Sequence, residues 1–392
     1  MIRKLKDFSF ENKRVLVRAG FDFPLDDDGN ITDNSRAIAV LPTIRYLLKN
    51  NAKIILMGHN GRPKGEYVKK LSMDKPAKLL QSLLKHKVRK IDNCIGKRVE
   101  NEIANMKPRD IILLENLRFN RSEKSKNKKT AEQFAKSLAK LADIFIQDAY
   151  TNSHHKDVSM VLLPKLLPSA MGLQVESEMN KIKSIISKPK KPYIAIIGGA
   201  KTEKINTVET LIPKTSKIII TGVLANTFLR AREINIGDSR YDKETLNQAK
   251  NIYNKYKDKI ILPIDSVVAE KFTKNSKAKT IDINNITKGH IMDIGPKTID
   301  LFKQILKPAK TIVWGGSIGV QEWQKFRKGT IAIAKYIAKL KSLKLVCGGD
   351  SGEAVNSLRL AKKMTHVSIG GGATLKLVEG KKLAAVEALD KQ

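Results

Sequence analysis

Short runs of Val, Ile and Leu, each followed by a longer stretch of helical periodicity, limit most narrowly how this chain can fold. In the first half they lie at residues 14–17, 53–57, 110–114 and 143–146, with helical stretches such as 35–49 and 130–141 between them. In the second half they lie at 193–197, 217–220, 259–262, 311–314, 343–346 and 366–368. A run that is apolar throughout needs cover on both faces, and an intervening helix returns the chain to run parallel to the previous strand. The expected fold class is α/β, built from doubly wound parallel sheets. At 392 residues the chain is too long for one ordinary core, so two domains are expected. Pro164 and Pro168 mark the end of the first, residues 1–170. A helix at 173–187 and the linker Lys188-Pro189-Lys190-Lys191-Pro192 occupy 171–192, and the second domain follows at 193–380.

Several runs of the second half end in glycine. Residues 343–346 lead to Cys347-Gly348-Gly349-Asp350-Ser351 and a helical stretch at 352–360; 366–369 lead to Gly370-Gly371-Gly372 and one at 375–379. A third turn is Gly198-Gly199-Ala200-Lys201, and a fourth is Trp314-Gly315-Gly316-Ser317. Glycine between a strand and a helix bares backbone N–H groups, and the helix N-terminus adds partial positive charge, a combination suited to phosphate. Asp350 and Ser351 could hold Mg²⁺ through its waters, Lys201 could neutralise phosphate, and Glu322 could meet a ribose hydroxyl. One such turn serves equally well as a tight bend with a helix cap. Their recurrence points to a nucleotide. The Walker pattern is missing, because no Gly-Lys-[Ser/Thr] follows the required spacing.

The first-half strands end differently. Beyond them stand Arg18 and Asp22; His59 and Arg62; Arg118; and His154 and His155, with Arg36 opening the first helix. Functional loops of a parallel sheet lie past the strand C-termini, so these side chains are expected to form an anion pocket. Arginine suits it, since its planar fork binds phosphate and carboxylate in bidentate fashion.

The net charge is +35, from 74 Lys+Arg against 39 Asp+Glu. Such a surface attracts anionic metabolites and nucleic acid alike. Aromatic residues make up only 5%, no basic stretch is interleaved with stacking rings, and the lysine-rich segment 121–129 reads as a solvated loop. A specific nucleic-acid partner is therefore not expected. No apolar run approaches ~18 residues, so no membrane span is expected. Cys94 and Cys347 make neither a disulfide framework nor a zinc site, and the opening residues 1–7 have no apolar core, so the expected compartment is the cytoplasm. A monomer is expected.

Gly61-Arg62-Pro63, Leu113-Leu114-Glu115-Asn116-Leu117-Arg118-Phe119, Gly198-Gly199-Ala200-Lys201, Gly348-Gly349-Asp350 and Ser368-Ile369-Gly370-Gly371-Gly372-Ala373 together resemble the phosphoglycerate kinase family. The resemblance covers essentially the whole chain. Thr221-Gly222-Val223-Leu224-Ala225-Asn226 and Met171-Gly172-Leu173-Gln174-Val175-Glu176 look closer to its archaeal branch. The family implies two Rossmann-like domains joined by a helical hinge, with 381–392 returning to the first. It implies reversible transfer of the ATP γ-phosphoryl to the carboxylate of 3-phosphoglycerate, giving 1,3-bisphosphoglycerate and ADP. The N-terminal domain would bind 3-phosphoglycerate through Asp22, Arg36, His59, Arg62, Arg118 and His155. The C-terminal one would bind Mg·ATP through Gly199, Ala200, Lys201, Gly222, Glu322, Gly348, Gly349, Asp350, Ser351, Gly370, Gly371 and Gly372. Arg36 and Lys201 would be catalytic, and Asp350 would meet the metal of the nucleotide.

The chain departs from the family's pattern where the acid would sit. Its first motif has Asp and Asn where Gly20 and Asp22 stand, and Arg where His155 stands, with Lys156 next along. On the nucleotide side Lys204 follows Lys201 one residue sooner than in bacterial and eukaryotic members, which leaves its role open. Gly315, Ser317, Cys347 and Ser351 replace Asn, Pro, Gly and Thr. Two further readings follow: an acyl-phosphate kinase for another small phosphorylated acid, and a catalytically weak nucleotide- or RNA-binding paralogue.

Overall fold

The computed structural model describes residues 2–390. Its first sheet holds β1 (Arg14–Ala19), β2 (Lys53–Met57), β3 (Val88–Lys90), β4 (Ile111–Leu113), β5 (Ile144–Asp148) and β6 (Ser169–Met171). All pair in parallel, in the order β3-β4-β2-β1-β5-β6. The chain continues through β7 (Tyr193–Ile197), β8 (Lys217–Ile220) and β9 (Ile260–Ile261). The next three strands, β10 (Asp265–Ala269), β11 (Ala278–Asp282) and β12 (His290–Ile294), form a small antiparallel sheet whose β10 is largely buried. With β13 (Thr311–Gly315), β14 (Leu343–Cys347) and β15 (His366–Ser368), the second parallel sheet is completed in the order β15-β14-β13-β7-β8-β9.

The doubly wound architecture follows from burial. Val15, Leu16 and Val17 are all inaccessible, as are Ile54, Ile55 and Leu56, so side chains on both faces of the strands are covered. The helix Ser35–Lys49 supplies part of that cover with Ala37, Val40, Leu41, Ile44, Leu47 and Leu48, spaced three and four apart on one stripe. It ends at Asn50, and Asn51 takes a left-handed conformation that asparagine tolerates well. In the second sheet Trp314 is fully buried and packs with Ile194, Ile196, Ile312 and Phe302.

Three details differ from expectation. The antiparallel sheet β10-β11-β12 interrupts the parallel pattern; its strands mix polar and apolar residues, and β11 and β12 are partly exposed, so no continuous apolar run announces them. The segment 169–171 joins the first sheet as β6, although Ser-Ala-Met has little strand propensity. The helices after the glycine turns run Gly349–Ser357 and Gly372–Val378, so glycines form their first turns instead of preceding them.

The first compact unit contains the described residues up to Asn180 and those from Lys382 onward; the second is Lys181–Lys381. The division falls inside the helix Leu173–Ile186. In the first unit β1 lies between β2 and β5, so the chain leaves β1 to one side and returns on the other. In the second, β7 lies between β8 and β13 in the same way. Such switch points open a crevice beyond the strand C-termini.

Candidate active site

In the first unit the crevice is built around a buried arginine. Arg18, near the end of β1, donates from Nε to Ser159 Oγ at 3.0 Å, from one terminal nitrogen to Ala19 O at 2.6 Å, and from the other to His59 Nδ1 at 2.7 Å. A guanidinium can only donate, so Nδ1 of His59 accepts and the imidazole proton sits on Nε2. Burial, with Arg18 and Arg118 as charged neighbours, holds His59 well below the ordinary histidine pKa, and the ring stays neutral. Nε2 lies 3.9 Å from Asp22 Oδ2 and 3.5 Å from Asn152 Nδ2.

Asp22 also receives the Gly61 N–H at 2.8 Å on Oδ1 and lies 3.8 Å from Arg36. It thereby ties the loop after β1 to the loop after β2 and to the start of the helix Ser35–Lys49. Arg62 stands exposed on the same loop as Gly61. Asn116 fixes the loop after β4, donating to Asn60 O at 2.7 Å and Leu71 O at 2.9 Å while accepting from Arg118 N. Arg118 is committed within the protein: it donates to Gly61 O at 3.0 Å and to Asp157 Oδ2 at 3.1 Å, and its buried Nε has no partner among the described residues. Lys124 adds a second cation 3.6 Å from Asp157. His155 stacks on His154 at 4.0 Å between centroids. Burial lowers its pKa, Asp157 pulls the other way, and Arg118, Lys124 and Arg18 reinforce the lowering.

Behind Arg18 lies a carboxylate that sequence reasoning missed. Glu123 is fully buried, accepts from Ser159 N at 3.0 Å and from Ser159 Oγ at 2.6 Å, and is pushed up by burial to about 7 against the pull of Arg18. A continuous hydrogen-bonded chain therefore runs from Glu123 through Ser159 and Arg18 to His59. Only its arginine and histidine stood at strand ends where a search for anion ligands would look.

The second unit gathers its glycines at the other switch point. Gly198 N donates to Gly315 O at 3.0 Å, joining the turns after β7 and β13. Thr221, ahead of Gly222, donates from Oγ1 to Ser317 O at 3.1 Å. The Lys204 ammonium bonds to Gly198 O, and a Cβ on Gly199 (φ +101°) would lie 2.6 Å from it. Burial lowers the Lys204 pKa, with Asp350 raising it. Lys204 is thus set in this crevice, whereas Lys201 is exposed on the turn ahead of it, next to Ala200.

Asp350 is exposed in the first turn of the helix Gly349–Ser357, and a Cβ on Gly349 beside it would point into open space. Ser351 is fully buried instead: Oγ accepts from Gly316 N at 3.3 Å and donates to Gly348 O at 3.1 Å, which binds two glycine turns together. At the turn after β15 Gly370 N donates to Ser368 Oγ, and Gly371 and Gly372 lead into the following helix. Among the described residues no three His, Cys, Asp or Glu side chains could hold a metal ion. A lone exposed carboxylate fits Mg²⁺ carried in with a polyphosphate and its waters. Glu322 lines a cleft of about 750 Å³ with Lys274, Trp323 and Lys325, and Phe272 lies 4.9 Å from the Trp323 ring. No described helix is long and apolar enough to cross a membrane.

A model of the phosphoglycerate kinase family matches residues 5–381. A phosphoglycerate kinase of Borrelia hermsii is 42% identical over all of both chains. Solved phosphoglycerate kinases from Coxiella burnetii and Pyrococcus horikoshii superpose with TM-scores of 0.81 and 0.88, at 32% and 29% identity. The first covers all of this chain and 99% of its own; the second covers all of this chain and 98% of its own.

Proposed function

The chain belongs to the phosphoglycerate kinase family, ATP-dependent enzymes that phosphorylate 3-phosphoglycerate, and on that premise we propose how its residues divide the work. The observation that supports the division is what gathers at the two switch points, arginine and histidine at one and glycine turns with lysine at the other.

The acid binds in the first unit. The carboxylate at the reacting end is already ionised, so attack needs no general base. One of its oxygens forms the new P–O bond as the bond from the γ-phosphorus to the ADP oxygen breaks. Arg36 stabilises the charge spread over the transferring group. His59 donates its Nε2 proton to the acid, and Arg62, Arg118 and His155 hold its phosphate. Asp22 keeps these loops in register through Gly61 N and Arg36.

ATP binds in the second unit, with its phosphates over Gly199, Ala200, Gly222, Gly348, Gly349 and Gly370–Gly372. Lys201 and Lys204 balance their charge, and Glu322 meets the ribose. Asp350 would reach the Mg²⁺ that enters with the nucleotide, an ion that would supply neutralisation of phosphate charge. Ser351 contributes by holding the turn. The proposal includes closure of one unit on the other through the helix Leu173–Ile186, which excludes water and limits hydrolysis. It also includes a monomer acting in the cytoplasm.

The test is turnover of Mg·ATP and 3-phosphoglycerate, coupled to reduction of the product by NADH, with ADP binding measured alongside. Expected are acid-dependent turnover and a fall in kcat of about 10²–10³ in Arg36→Ala with ADP affinity retained. Tight ADP binding without turnover would overturn the acceptor assignment.

A further inference from the structure

Gly20 and Thr151 face each other across the first switch point. Gly20 follows β1, and Thr151 stands a few residues past β5, whose Asp148 pairs with Ala19. A Cβ on Gly20 would lie 2.9 Å from Thr151 Oγ1, closer than such atoms approach. The hydroxyl of Thr151 therefore occupies the volume that a side chain at position 20 would use. Among the described residues that hydroxyl has one side-chain partner, Asn152 Oδ1 at 3.0 Å, and the Asn152 amide nitrogen reaches only as far as His59 Nε2, 3.5 Å away. Both side chains are nearly fully buried. The threonine oxygen keeps its lone pairs and Asn152 keeps an N–H, so this pair has capacity to spare beside His59.

We propose that Thr151, backed by Asn152, recognises the free hydroxyl of the acceptor acid. This rests on the assignment of the acid to the first unit. The acid 3-phosphoglycerate has three polar parts: a phosphate, a carboxylate and one secondary hydroxyl. The first two call for cations and N–H donors, which Arg36, Arg62 and the neutral His59 supply. The hydroxyl calls for a group that both accepts and donates without charge, and the Thr151–Asn152 pair offers that at the edge of a cationic pocket. A buried polar pair built to meet a hydroxyl also discriminates against an acid lacking one, because its own groups are then left unpaired.

The experiment compares 3-phosphoglycerate with 3-phosphonooxypropanoate, the same acid without the hydroxyl, in the unaltered protein, Thr151→Val and Thr151→Ser. Valine keeps the shape and removes the hydroxyl; serine keeps the hydroxyl. The ratio of kcat/KM between the two acids is expected to fall about tenfold in Thr151→Val and to recover in Thr151→Ser. Gly20→Ala, whose methyl would displace Thr151 Oγ1, should lower the same ratio. A ratio in Thr151→Val equal to that of the unaltered protein would overturn the proposal while leaving the acceptor site in place. If the unaltered protein turned over neither acid, the acceptor reading itself would fall, and this one with it. Thermal midpoints of the variants report their folding independently of either acid.

Discussion

Asp157 holds Arg118 and Lys124 from a buried position, so the cation expected to grip a phosphate already has an anionic partner. Asp157→Asn keeps the shape and removes the charge. It should lower KM for the acid several-fold, read by the coupled assay, and cost about 1–3 kcal/mol of stability in urea unfolding. His155 gives a pH dependence. Burial lowers its pKa, so it is largely neutral in the free protein, and a bound anion draws a proton onto it. KM for the acid should therefore rise between pH 6 and 8, and His155→Arg should flatten that rise relative to the unaltered protein. Glu123 acts on stability with the opposite sign from an ordinary carboxylate. Its folded pKa of about 7 exceeds its ordinary value of 4.5, so its contribution is complete below the unfolded value and is lost as pH rises toward 7. Glu123→Gln should flatten the unfolding free energy between pH 5 and 8 by on the order of 3 kcal/mol. At this scale the sequence was half legible. Arg18, His59 and Arg118 could be found because they follow apolar runs. Glu123 and Ser159 could not, since nothing local marks residues whose partners are many positions away, and Thr151 could not, because only the fold brings it against Gly20.

The secondary-structure elements owe their placement to buried carboxylates as much as to apolar stripes. Asp265 accepts from Lys297 N at 3.1 Å, Thr298 N at 2.7 Å and Thr298 Oγ1 at 2.7 Å, fixing the start of the helix Pro296–Leu306. Asp265→Ala should lower the unfolding free energy by about 1–2 kcal/mol, measured by urea titration. Asp148 does the same for the helix Leu173–Ile186 through Gln174 N and Val175 N. A Cβ on Gly172 would run into that carboxylate, which is why the chain needs glycine there. The central strands were legible because a strand covered on both faces has no choice but to be apolar throughout. β3, with Arg89 and Lys90 at the sheet edge, has no such constraint, and neither has the antiparallel sheet.

At the scale of the molecule, a charge of +35 should draw anionic substrates toward the protein from a distance. Raising salt from 20 to 500 mM should lower kcat/KM for both substrates while changing kcat little, since the Debye length shrinks severalfold. The first unit also depends on chain from beyond the second. Ala385 N donates to Ser153 O at 3.0 Å, and Ala385 packs with Ala149 and Met160 beneath the segment that carries Thr151 and His155. Deleting 382–392 should raise KM for the acid while leaving ADP affinity unchanged in a binding titration. The order of synthesis follows from the same contact. The unit translated first is completed last, because about 200 residues of the second unit must emerge before Ala385 can reach Ser153. At about 5–20 residues per second, the acid-binding half waits on the ribosome for on the order of ten seconds or more with one of its loops unsupported.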